Sequence, residues 1–77
     1  NPQLDVEELS SREKDVLAQI VKGLSNKEIA DVLCLSAHTV MSHRKNIARK
    51  LNIHSTAGLT IYAIVNGIVN LDNIEVI

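Results

Sequence analysis

A chain of 77 residues, 45% of them apolar, has room for one small domain, and with Tyr62 as its lone aromatic the core falls to Leu, Ile, Val and Ala. The single cysteine, Cys34, excludes an internal disulfide and suits a reducing, cytoplasmic setting, and no apolar run approaches the roughly 20 residues needed to cross a bilayer. The net charge of -1 hides a segregation: residues 1–31 sum to -3, residues 32–71 hold Arg44, Lys45, Arg49 and Lys50 with no acid, and residues 72–77 return -2. A stretch so free of carboxylates reads either as a surface kept clear for an anionic partner or as a solvated face with chance clustering.

The chain starts at Asn1 rather than Met and reads as a piece of a longer protein, with residues 1–9 a linker or arm from a preceding domain. "SSRE" at 10–13 is a capping box: the Ser10 hydroxyl accepts a backbone N–H while Glu13 reaches back. Val16, Leu17, Ile20 and Val21 follow on one helical face, and Gly23 supplies a left-handed stop. "SNKE" at 25–28 repeats the capping box. Ile29, Ala30 and Leu33 give the second helix a short apolar face, and about two turns of helix must lean on their neighbours.

Cys34–Leu35 makes a tight connection, and Ser36 is the next N-cap. A third helix is expected from about Ala37 to Leu51. At about 100° per residue, Val40, Ile47 and Leu51 align as a buried stripe, and Met41, Ser42, Lys45, Asn46 and Arg49 form the opposite front. Arg44 falls at the edge of the stripe and must snorkel out or find a partner. His43 lies close to the stripe, where a packed, locally hydrogen-bonded histidine is expected rather than a base reader.

Ser55 caps a fourth helix over Thr56–Asn66, apolar nearly all round. A domain this small covers one side of such a helix, so the other side calls for a second copy of the chain, unless the tail folds over it. Gly67 ends the helix. Residues 67–77 are a tail, either a short strand or a flap.

A short helix, a connection of about three residues and a longer helix with a cationic front make a helix-turn-helix. The free N–H groups beyond Ser36 suit a phosphate, and in the first turn His38 and Thr39 suit either a cap or a phosphate. The longer helix is narrow enough for a DNA major groove.

The blocks "SREKDVL" (11–17), "GLSNKEIADVL" (23–33), "LSAHTV" (35–40), then His43, Asn46, Ile47, Lys50 and Leu51, and Ser55, occur in an order and spacing that resembles a known family. It is the LuxR-type DNA-binding domain at the C-terminus of NarL/FixJ-like response regulators. The resemblance covers residues 9–66. It implies an all-α, four-helix domain of the LuxR/NarL C-terminal effector type, acting in a bacterial transcriptional regulator. Residues 10–66 would be that domain. Its third helix would enter the major groove and its fourth would pair two copies, with Ser55, Leu59 and Tyr62 as the expected dimer contacts. Position by position, the resemblance assigns Met41, Ser42 and Lys45 to base edges, and Asn26, Lys27, Thr39 and Arg49 to phosphates. Two positions depart from the family pattern. Met41 stands where Lys is frequent, and offers apolar contact to a thymine methyl instead of a charged hydrogen bond. Arg44 stands where an apolar residue is frequent.

The expected partners are double-stranded DNA and a second copy of the chain, with RNA polymerase a further contact for a regulator of this kind. No cofactor, metal or membrane is expected. Cys34, His38, His43 and His54 lack the paired spacing of zinc ligands. No enzyme is expected either, since no catalytic arrangement or phosphate-binding glycine loop stands out. Two other functions fit the same residues: a module like region four of a sigma factor, and a protein-interaction domain that has kept the fold and lost DNA binding.

Overall fold

The computed structural model describes residues 8–69. They form four helices: α1 (Ser11–Val21), α2 (Asn26–Leu33), α3 (Ala37–Leu51) and α4 (Thr56–Val65). No strand occurs among the described residues. The bounds of the third helix are those expected from its cap and stripe, and the fourth ends one residue short of the expected Asn66.

Every helix starts on a serine cap, at Ser10, Ser25, Ser36 and Ser55. The first two are complete capping boxes: Ser10 N–H donates to Glu13 Oε1 at 2.9 Å, and Ser25 N–H to Glu28 Oε1 at 2.8 Å. Each box ties up two donors that a helix start leaves open, so α1 and α2 have sharp beginnings despite their lengths of 11 and 8 residues.

The helix ends differ. α1 stops at Gly23, whose φ of 91° is the left-handed conformation that glycine adopts without strain. α2 and α3 stop at Cys34 and Asn52, which take the same region at φ 59° and 54° with a Cβ to accommodate. In each case the next residue closes the turn: Leu35 N–H donates to Ala30 O at 2.8 Å, and Ile53 N–H to Ala48 O at 3.3 Å.

α1 packs against α2, α3 and α4, and α2 also packs on α3. The core joins Val16, Leu17 and Ile20 of α1, Ile29 and Ala30 of α2, Val40 and Ile47 of α3, and Leu59 and Ala63 of α4. The small Ala30 lets α2 lie close to its neighbours. Leu9 and Val69, within the expected arm and tail, are also buried in this cluster. The rest of the expected arm and tail, residues 1–7 and 70–77, lies outside the described residues.

One polar contact crosses the core edge. Lys50 Nζ donates to Glu13 Oε1 at 2.8 Å, with the two side chains 17% and 6% exposed. Glu13 thus caps α1 and pins α3 to it with the same carboxylate. Burial pushes that carboxyl group's pKa up, but the Lys50 hydrogen bond, the Ser10 N–H and the Lys50 charge together hold it below the ordinary glutamate range.

Candidate nucleic-acid interface

The connection between α2 and α3 is Cys34–Leu35–Ser36. The left-handed turn at Cys34 reverses the chain, and Leu35 packs half-buried on the core, which fixes the angle between the two helices. The Ser36 hydroxyl accepts from Thr39 N–H at 3.0 Å and lies 2.9 Å from Thr39 Oγ1. That one serine therefore orients the start of α3, and the other N–H groups of its first turn keep the outward direction that receives anions.

Beyond this turn α3 divides by face. Val40 and Ile47 are fully buried and Leu51 packs half-buried beside them. Met41, Ser42, Lys45, Asn46 and Arg49 are all exposed on the opposite side. The front is continuous over two turns and contains no carboxylate. It presents a thioether, a hydroxyl, an amide and two cations, a set that donates hydrogen bonds and tolerates a negative surface.

The remaining expected contacts surround this front in the chain. Ser36 and His38 are exposed and Thr39 is half-buried at the start of α3; Asn26 is half-buried and Lys27 exposed in the first turn of α2. On α4, Ser55 caps the helix and its hydroxyl accepts from Gly58 N–H at 3.0 Å. Leu59 is in the core and Tyr62 is half-buried. The large apolar side chains that α4 leaves in the open are Ile61 and Val65, 63% and 77% exposed.

Two expectations require correction. Lys50, expected among the cations gathered for DNA, turns its charge inward to meet Glu13. His43 is expected to hydrogen-bond locally. His43 is half-buried as expected, yet its Nδ1 is buried without a hydrogen-bond partner among the described residues. Arg44 is half-buried, as its edge position implied. Beside it a cleft opens between α3 and the start of α4. The adjacent His54 and Ser55 were its only sequence signal.

A family model described as "Bacterial regulatory proteins, luxR family" matches residues 7–63, which hold all four serine caps and the whole helix-turn-helix. The chain belongs to this family. It is a LuxR-type DNA-binding domain of a transcriptional regulator, and the family is not one of enzymes. Among its relatives is the transcriptional regulatory protein MctR of Rhizobium johnstonii, 52% identical over 62 residues, covering 80% of this chain and 29% of that protein. The fimbriae Z protein of Escherichia coli is 54% identical over 55 residues, covering 71% of this chain and 26% of that protein. The nitrate/nitrite response regulator NarP of Escherichia coli is 51% identical over 53 residues, covering 69% of this chain and 25% of that protein. The LuxR-type chain thus spans less than a third of the length of these regulators. Among the described residues, no helix is long and apolar enough to cross a membrane.

Proposed function

We propose that this domain reads specific DNA sequences by laying α3 in the major groove. The observation that carries the reading is the exposed, acid-free front of α3 opposite a fully buried apolar stripe. A helix fixed on one side and bare on the other fits the groove, and side chains of the middle turns reach base edges. Ser42 and Lys45 donate to acceptors on the bases, and Met41 packs against thymine methyl groups. Asn26, Lys27, Ser36, His38, Thr39 and Arg49 hold phosphates on either side, which sets register and supplies the salt-dependent part of the affinity.

Two copies pair through α4 and read two half-sites. Ile61 and Val65 support this, since they are exposed apolar groups on a helix that otherwise rests on α1. Ser55 and Tyr62 flank that contact, and Leu59 braces it from beneath. In the cell the domain acts in the cytoplasm as the output of a longer regulator, and RNA polymerase is the partner at the promoter.

The test is fluorescence anisotropy of labelled duplexes at several salt concentrations, with a duplex selected by the chain and an unrelated one. A log K against log salt slope of about -0.9 per neutralised phosphate counts the contacts. Lys45→Ala is expected to weaken the selected duplex about tenfold or more, in the range of one lost base contact, and the unrelated duplex much less. Equal losses on both would move Lys45 to a phosphate. No binding at low salt, by a chain that still dimerises, would favour an interaction domain.

A further inference from the structure

Arg44 is the one cation of α3 with neither an outward role in the proposed interface nor an inward partner. It is half-buried, and no ion pair or hydrogen bond holds it among the described residues. Burying part of a guanidinium without an anion is unfavourable unless a ligand completes the site. Its surroundings show what kind of ligand. Arg44 lines an open cleft of about 230 Å³ together with Lys45, His54, Ser55 and Thr56, above an apolar floor that includes Ile53. Among the described residues no carboxylate lines the cleft. The hydroxyls of Ser55 and Thr56 add donors: Ser55 Oγ already accepts from Gly58 N–H, so its own proton is left to give. The volume is below the ~300 Å³ usual for small-molecule sites, which suits a small anion. The chemistry is that of an oxyanion seat.

Lys45 stands both in this cleft and on the front of α3. The cleft is therefore continuous with the proposed DNA surface. We propose that it seats a backbone phosphate of the duplex, flanking the groove that α3 enters, with Arg44 as the principal ligand and His54, Ser55 and Thr56 opposite it. The inference rests on the major-groove reading and adds an anchor to it, one that belongs to Arg44 and the α3–α4 connection. An anchor on this flank fixes the rotation of α3 in the groove, because it grips from the α4 side while Ser36 and Thr39 grip from the α2 side.

The test compares the chain with its Arg44→Gln, Arg44→Lys and His54→Glu variants, on the selected and unrelated duplexes across a salt series. Circular dichroism melts confirm folding. Arg44→Gln is expected to make the salt slope less negative by about 0.9 and to weaken both duplexes by a similar factor, about eightfold near 0.1 M salt. Arg44→Lys should keep the slope. His54→Glu puts a carboxylate at an exposed cleft position and should weaken both duplexes; it carries the test if Arg44→Gln does not fold. An unchanged slope and affinity in Arg44→Gln, or in His54→Glu where that variant stands in, overturns the proposal and leaves the major-groove reading intact. A loss confined to the selected duplex makes Arg44 a base reader and also overturns it. Inorganic phosphate shifting the Thr56 amide resonance, with DNA binding by Arg44→Gln unchanged, assigns the cleft to a free oxyanion instead. If the unaltered chain binds neither duplex, the underlying reading fails first.

Discussion

Lys45 and Lys50 sit on the same helix and lie on opposite faces of it. Lys45 is exposed on a helix that carries no acid of its own. Lys50 is largely buried and meets a carboxylate from α1 at 2.8 Å. In the sequence both belong to one positive cluster, and only the helix they share separates them. A buried ion pair is a positioning device: its net contribution to stability is small against a well-packed apolar pair, but losing one partner strands the other. An exposed cation contributes almost nothing to folding and keeps its charge for a ligand. Charge on α3 is therefore of two kinds, one bound into the fold and one left at the surface.

The sharpest way to break that contrast is to remove each lysine in turn. Lys50→Ala leaves Glu13 buried without its cation and weakens the tie between α1 and α3. A loss of about 3 kcal/mol is expected, a large share of the stability of a domain this small. Lys45→Ala should stay within about 0.5 kcal/mol of the parent. Urea melts of the two variants measure both. Comparable losses would show that Lys50 is not structurally distinct from Lys45.

Acid probes the same pair without a mutation. The Glu13 pKa is lowered in the folded state, so the pair's stabilisation is fully present above the pKa of the unfolded chain. It is lost progressively as pH falls through about 4 and below, where Glu13 takes up its proton. Melts between about pH 6 and pH 3 should fall for the parent, and fall less for a Glu13→Gln variant that starts from lower stability. Parallel curves would remove Glu13 from the acid response.

The α3–α4 connection offers a smaller effect of the same type. A Cβ at Gly58 would lie 2.6 Å from Ile53 Cγ2 and 3.1 Å from Ser55 Oγ. Gly58→Ala must push Ile53 or the Ser55 cap aside, at about 1 to 2 kcal/mol, again read by urea melts. Its cost falls on the wall of the cleft beside Arg44, so DNA affinity should drop with it, whereas Lys50→Ala leaves that wall in place.

Most of the fold was legible because it depends on local rules. Four serine caps, two with a glutamate three residues on, placed the helix starts, and the spacing of Val40, Ile47 and Leu51 placed the inner face of α3. The same helical spacing puts Arg44 at the edge of that face. The rest depends on contacts between segments far apart in the chain. Nothing near Lys50 announces Glu13, 37 residues away. Nothing near Leu59 says that it turns inward while Ile61 and Val65 turn out, because a helix apolar all round has no phase to read. The cleft needs both the end of α3 and the start of α4, and neither segment alone encodes it. For the same reason Leu9 carries no local signal of its place in the core, which its partners in other helices supply.

The turn between α2 and α3 is legible as a tight Cys34–Leu35 connection, but its left-handed backbone is not, since it has no glycine. Cys34 holds φ 59° and ψ 45° there, exposed, with a Cβ that this region disfavours. Glycine would relieve that strain, while its freer unfolded state takes back about 0.4 to 1 kcal/mol. The two terms differ by little, so Cys34→Gly should stabilise by about 0.5 kcal/mol. Asn52→Gly, at the equivalent end of α3, should gain less, because Asn tolerates the left-handed region better than Cys does. Thermal melts of the two variants rank them. The turn sets how α3 stands against α2, so the geometry offered to DNA should be unchanged in Cys34→Gly and its salt slope should match the parent's. If Cys34→Gly were instead destabilising, the thiol would be held in place by something stronger than the backbone strain it carries.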